Sequence, residues 1–228
     1  MQSYTDKTSD YFAHARKEIE ALLPARCDRA LEIGCGGGAT LGWLRHTGRA
    51  SHAVGVEIFE AAAQQARAHA DEVHCLDFER AGLPPQCEPF DLILCLDVLE
   101  HMVDPWAAVD RLVERHLVPG GTLIASLPNV RHHSALRPLL FKGQWQYQDA
   151  GLLDRTHLRF FTRRTAIELL SRPGLEFVAC TDWGFDWPSP KGIFNTLTAG
   201  VFREFLSYQY FLSARKPREE VSALSASA

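Results

Sequence analysis

The feature that most limits what this chain can fold into is the stretch LEIGCGGGATLGWL, residues 31–44 of 228. An apolar run, a glycine turn and a helix-like segment form the junction at which a buried strand hands over to a helix. Gly34, Gly36 and Gly38 let the backbone bend tightly and approach a ligand where a Cβ would obstruct it. In an open α/β sheet such a turn sits beyond the carboxyl ends of the strands, where ligands bind. The spacing is GxGxG rather than GxGxxG. Glu32 stands two residues ahead of the first glycine, and no Lys or Arg follows until Arg45. The positive end of a helix dipole suits a diphosphate, but a carboxylate at the strand tip repels one.

The surrounding pattern predicts a doubly wound parallel sheet. Strand-like ALEIG, HAVGVE, EVHCLDF and the continuously apolar FDLILCLD alternate with helix-like segments up to TLIASLP. Fully buried parallel strands read as unbroken apolar runs of this kind. Asp104 and Pro105 suit the cap and first position of a helix over PWAAVDRLVERHL. VPGG reads as a turn into the fifth strand. Residues 8–23 read as an amphipathic N-terminal helix, 129–161 as an irregular segment on the acceptor side, and TRRTAIELLS as a helix. LEFVACTDW reads as a sixth strand, 190–205 as a short helix and LSYQYFLSARK as an edge strand. The organisation expected is one domain over 1–215, with 216–228 a polar tail.

Composition narrows the class. A net charge of -4 argues against nucleic acid as a partner, and no apolar run is long enough to span a bilayer. The six cysteines form no CxxC pair, which fits buried free thiols, Cys75 and Cys95 among them, in a reducing cytoplasm.

A cationic cofactor resolves the conflict at the glycine turn. S-adenosylmethionine has no phosphate and carries a sulfonium and an ammonium, for which Glu32 is an asset. Two further acids agree with it. Glu57 ends the second strand, where a carboxylate can accept both ribose hydroxyls, and Asp77 with Phe78 ends the third, suited to an adenine amino group and ring face.

These residues carry a resemblance. LEIGCGGG, VGVE, LDF, FDLILCLDVLEH and LVPGG together resemble the class I S-adenosylmethionine-dependent methyltransferases over about residues 8–182. The resemblance implies a Rossmann-like, seven-stranded, mostly parallel sheet with an antiparallel last strand. It implies that Ile58 joins Glu57 at the cofactor, that Leu96 and Asp97 line its methionine end, and that Tyr11 and Arg16 close the pocket.

Methyl transfer needs a held acceptor and, for a hydroxyl, a base. Asp97, Glu100 and His101 leave the fourth strand together, and His157 lies in LDRTHLRFF after the fifth; Asp97, His101 and His157 are the catalytic candidates. DVLEH with a later histidine also resembles ubiquinone-biosynthesis O-methyltransferases and small-RNA 3′-terminal 2′-O-methyltransferases. In the latter a divalent ion is held at positions that map to Asp97, Glu100, His101 and His157, with Asp97 standing where that branch has Glu. Between 131 and 172 eight basic residues face three acids, which suggests an anionic small-molecule acceptor. DAGLLDRTHLRFFT resembles methyltransferases of bacterial polysaccharide modification, which points to a glycan. The expectation is O-methylation of a small anionic or sugar-type acceptor. The rivals are a metal-dependent RNA-end methyltransferase and a cofactor-binding subunit without chemistry.

Overall fold

The computed structural model describes residues 15–184 and 188–218. Residues 1–14, with Tyr11 and the first part of the expected 8–23 helix, and residues 219–228 lie outside them. The chain runs β1 (Cys27–Ile33), α1 (Ala39–His46), β2 (Ala50–Glu57), α2 (Glu60–Ala66), β3 (Glu72–Cys75), α3 (Phe78–Ala81) and β4 (Phe90–Leu96). It continues through α4 (Pro105–Arg115), β5 (Leu117–Pro128), α5 (His133–Lys142), α6 (Arg163–Leu169), β6 (Glu176–Trp183), α7 (Pro190–Leu197), α8 (Arg203–Leu206) and β7 (Gln209–Arg215).

The strands form one sheet in the order β3-β2-β1-β4-β5-β7-β6. β7 pairs antiparallel with both β5 and β6, so it alone runs against the other six. This is the doubly wound sheet that the residue pattern predicts, with the seven strands, mostly parallel, that the resemblance implies. The order reverses between β1 and β4, the switch point at which open α/β sheets hold ligands.

Period-two alternation divides each central strand between two cores. Leu31, Ile33, Ile93, Cys95, Leu123 and Ala125 face one layer with α4 and α6. Leu92, Leu94, Leu96 and Ile124 face the other, where Leu44 and Ile19 cover them. Unbroken apolar runs therefore mean burial on both faces. The helix starts are those the sequence offers: the Asp104 side chain accepts from Ala107 N, and Thr162 and Thr165 form a reciprocal cap on α6.

Five expectations change. LSYQYFLSARK is not an edge strand; β7 lies between β5 and β6, with Tyr210, Phe211, Leu212 and Ala214 buried. β3 and β6 form the edges instead, which leaves Cys75 at the end of β3 exposed rather than buried, though none of the six cysteines is disulfide-bonded. VPGG is not a turn but part of β5: Gly120 N donates to Lys216 O and Lys216 N to Gly121 O, so the end of β7 draws it into the sheet. In the described part of the expected N-terminal helix, Lys17–Leu22 is 3₁₀. Pro24 biases Leu23 to extended backbone, and the last turn tightens before it. Finally, the segment read as irregular contains α5, whose pattern is obscured by Pro138 inside it and by a largely exposed surface on which only Ala135 is buried.

Asn129, fully buried just beyond β5, ties this edge together. Its amide donates to Glu204 O (2.6 Å) and Ser207 O (2.7 Å), and its carbonyl accepts from Arg131 N (2.9 Å). Asn129→Ala strands three backbone groups. It is expected to cost about 2–4 kcal/mol in urea unfolding; a loss below about 1 kcal/mol would mean that water replaces the amide.

Candidate functional site

A cavity of about 690 Å³ opens at the carboxyl ends of β1, β2 and β4. Its wall includes Arg16, Glu32, Gly34, Gly36, Glu57 and Ile58, and on the far side Asp77, Phe78, Leu96 and Asp97. His101 and Thr156 close one end. Every residue that the sequence assigns to the cofactor is therefore on one surface, Tyr11 excepted, which lies outside the described residues. His157 is not on that wall.

The turn after β1 is built by hydrogen bonding to β2. Gly34 N and Cys35 N both donate to Val56 O, and Gly36 N donates to Glu57 Oε2 at 2.8 Å. Gly34, Gly36 and Gly38 all have positive φ. A Cβ on Gly34 would meet Val98 Cγ2 at 2.8 Å, and one on Gly38 the Ala66 Cα at 3.0 Å. At these two positions glycine is needed for contact with neighbouring protein, not only to clear a ligand. Glu57 Oε1 accepts from Phe59 N at 3.0 Å. Each oxygen thus braces the turn through one lone pair and retains capacity for a further donor.

Glu32 is 3% exposed, and its Oε2 is buried with no hydrogen-bond partner among the described residues. Burial pushes its carboxyl from the ordinary 4.5 up to about 8, and the Glu57 charge adds to this. The Thr40 hydroxyl and the Arg16 guanidinium pull the other way without prevailing. Asp77 caps α3 by accepting from Arg80 N at 3.3 Å while also facing the cavity.

Asp97 holds φ of 52°, one of two non-glycine residues in the left-handed region among the described residues. Such a conformation costs about 1–3 kcal/mol and persists only where neighbours enforce it. Here Asp97 N donates to Ser126 Oγ (2.9 Å), Ser126 Oγ donates back to Asp97 Oδ1 (2.7 Å), the Gln209 amide donates to the same oxygen, and Arg16 pairs with Oδ2. Ser126 and Gln209 were not among the sequence candidates. Part of the signal was available: Ser126 is a polar residue within the apolar stretch LIASLP, and a buried polar group needs a partner, whereas Gln209, the first residue of β7, carries no such mark.

On the acceptor side Glu100, His101 and His157 converge, one ligand atom from each lying within 4.8 Å of the others. Glu100 O accepts from both Leu158 N and Arg159 N, which straps the later loop to the end of β4. The histidine rings are 4.8 Å apart, edge to face. His101 Nδ1 faces Thr156 O at 3.1 Å and His157 Nδ1 faces Leu152 O at 3.2 Å. A carbonyl only accepts, so each ring carries a proton on Nδ1, and in the neutral imidazole the lone pair is then on Nε2. Asp97, which the resemblance to the metal-binding branch maps to the same set, does not join these three; Ser126, Gln209 and Arg16 take its carboxylate.

Half of the cations of the basic segment are ion-paired within the protein. Arg131, Arg155, Arg164 and Arg172 pair with Glu204, Asp149, Glu168 and Asp110, and Arg159 donates to the carbonyls of Leu158 and Val103. None of the eight basic residues is on the cavity wall. No helix among the described residues is long and apolar enough to cross a membrane.

Comparison with known proteins agrees with this geometry. A family model described as a methyltransferase domain matches residues 7–179. The ubiquinone biosynthesis O-methyltransferase of Maricaulis maris is 32% identical over 199 residues, 83% of this chain and 72% of that protein. The protein of the same name from Xylella fastidiosa is 30% identical over 207 residues, 72% of this chain and 82% of its own. Among solved structures, an S-adenosylmethionine-dependent methyltransferase from Mesorhizobium loti superposes with a TM-score of 0.61 at 20% identity, over 92% of this chain and 99% of that one. The N-methyltransferase NodS of Bradyrhizobium japonicum, in complex with S-adenosyl-L-homocysteine, superposes at 0.56 with 17% identity, covering 92% and 86%. With a switch-point cavity walled by strand-tip acids and a family match over most of its length, this chain belongs to the class I S-adenosylmethionine-dependent methyltransferases.

Proposed function

We propose that the protein transfers the methyl group of S-adenosylmethionine to a hydroxyl oxygen on a small, ring-bearing acceptor. In this reading Glu32 faces the cationic part of the cofactor, and Glu57 accepts the ribose hydroxyls. Ile58, Asp77 and Phe78 enclose the adenine, and Arg16 with the backbone of Leu96 and Asp97 borders the methionine end. His101 is the base. It takes the hydroxyl proton on Nε2 as the oxygen attacks the methyl carbon and the carbon–sulfur bond breaks, leaving a neutral thioether. His157 orients His101 from behind.

The observation that carries this reading is His101 on the cavity wall, locked in one tautomer by Thr156 O, with His157 against its ring. The names of the relatives, ubiquinone biosynthesis O-methyltransferases, favour a hydroxyl on an aromatic ring. Trp145 and Phe160, with ring centroids 5.3 Å apart, stand beside His157 and suit a flat acceptor. The anionic acceptor suggested by the basic segment has less support, because half of those charges are ion-paired and none of the eight is on the cavity wall.

A second reading is favoured by the convergence of Glu100, His101 and His157. Two imidazoles whose Nδ1–H groups are held by carbonyls, with one carboxylate, form the donor set of a borderline divalent ion. Such an ion would supply Lewis acidity towards the acceptor hydroxyl.

Three outcomes test these assignments. His101→Ala should lower kcat by about 10²- to 10⁴-fold with cofactor Kd unchanged, and His157→Ala should do so less. A change under about threefold for His101→Ala against a catechol-type acceptor would remove it as base. If the metal reading holds, EDTA abolishes turnover and Mn²⁺ or Mg²⁺ restores it, and calorimetry shows His157→Ala weakening metal binding; if turnover survives EDTA, the histidines act by proton transfer alone.

Glu32 gives the pH test. Its raised carboxyl holds a proton at neutral pH in the free protein. This stabilises the ligand-free fold fully below the ordinary value of 4.5, and the contribution is lost as pH rises towards about 8. Cofactor binding needs the carboxylate, so affinity should rise from pH 6 towards about 8, with proton release visible as buffer-dependent binding heats. In Glu32→Gln both effects should vanish; affinity independent of pH in the native protein would detach Glu32 from the cation.

A further inference from the structure

The acceptor end of the sheet carries a surface that the methyltransfer chemistry leaves unused. α5 exposes Leu140 (69%) and Phe141 (82%), and the α7–α8 segment exposes Leu197 (81%) and Val201 (74%). These are large side chains left in water on short helices, at an expense that soluble surfaces avoid unless the patch has a partner. The start of α5 is tied to the α8 end of that segment: Arg131 pairs with Glu204 and lies 5.1 Å from the centre of the Phe205 ring, and the His132 and Tyr208 ring centroids are 5.3 Å apart. Phe194 and Phe202 then stack at 5.4 Å, joining α7 to the turn before α8.

Charge decides the kind of partner. Residues 129–148 and 188–203 contain five basic residues and no acid. Arg131 and Arg203 are held by Glu204 and Asp182. Arg137, Lys142 and Lys191 are exposed, and among the described residues no carboxylate pairs with them. Apolar side chains flanked by cations and free of acids match the requirements of a surface that lies in the headgroup region of an anionic bilayer. There the apolar groups enter the acyl boundary and the cations meet phosphate. We infer that α5 and the α7–α8 segment dock this protein onto an anionic lipid surface, with the acceptor side of the fold towards the membrane. This holds whether or not the acceptor hydroxyl is aromatic.

Co-sedimentation of the full chain with vesicles tests it. The protein should pellet with phosphatidylcholine–phosphatidylglycerol vesicles and stay in solution with phosphatidylcholine alone. Leu140→Glu with Phe141→Glu, and separately Leu197→Glu, should each weaken binding by about tenfold or more, while Lys142→Glu with Lys191→Glu should erase the preference for anionic vesicles. Unchanged cofactor affinity, measured by calorimetry, identifies variants that remain folded. The inference falls if the native chain ignores phosphatidylglycerol vesicles, or if the folded Leu197→Glu variant binds them as well as the native chain. It also falls if light scattering shows a dimer that Leu197→Glu dissociates, since the face would then belong to a second copy.

Discussion

The site depends on two carboxylates held almost dry at the tips of adjacent strands. Glu32 and Glu57 are each at most 5% exposed, and parallel pairing of β1 with β2 brings their strand ends together. Removing a carboxylate from water is expensive, and a like charge beside it raises the expense. The protein divides the problem. Glu57 accepts from two backbone N–H groups, whereas burial outweighs the help that Glu32 receives from Thr40 and Arg16 and drives it towards protonation. Such a pair is poorly suited to a polyphosphate. A ligand that brings its own positive charge supplies what the protein withholds, so the electrostatic arrangement selects the cofactor before any shape does.

The same logic of incomplete local solutions explains the end of β4. Asp97 must leave a buried strand and turn sharply at the cavity, and left-handed backbone does this at a local expense. The compensation is long-range: Ser126 comes from β5, Gln209 from β7 and Arg16 from the segment ahead of β1. β7 therefore has a role at the site as well as in the sheet. Its insertion between β5 and β6, rather than at the edge, is what brings Gln209 within reach of Asp97.

Legibility in the sequence followed the range of the interactions. The parallel sheet, the glycine turn and the acids of its carboxyl edge were legible because each is written in a few consecutive residues, as in LEIGCGGG or FDLILCLD. The position of β7 was not, because a strand of Tyr, Phe and Leu has the same local pattern at an edge as in the interior, and only its neighbours decide. VPGG reads as a turn for the same reason, until β7 pairs with it. α5 escaped because an exposed helix with an internal proline has no core-facing stripe to recognise. Of the four positions that the resemblance maps to a metal, Glu100, His101 and His157 meet in space, whereas the Asp97 carboxylate is taken by Ser126, Gln209 and Arg16.

The basic segment shows how a charge count along the chain differs from a field in space. Eight basic residues against three acids describe residues 131–172 only. Once folded, Arg131 finds Glu204 and Arg172 finds Asp110, acids that lie outside the segment. Four of the eight, Arg137, Lys142, Arg159 and Arg163, have no carboxylate partner among the described residues; Arg137 and Lys142 are on α5 beside exposed leucine and phenylalanine, and none of the four is on the cavity wall. Positive charge in this half of the molecule is therefore better placed to meet a surface than to hold a substrate. In the proposed reading, the flat and hydrogen-bonding groups around His157 select the acceptor, so that specificity and docking would occupy separate residues on the same end of the sheet.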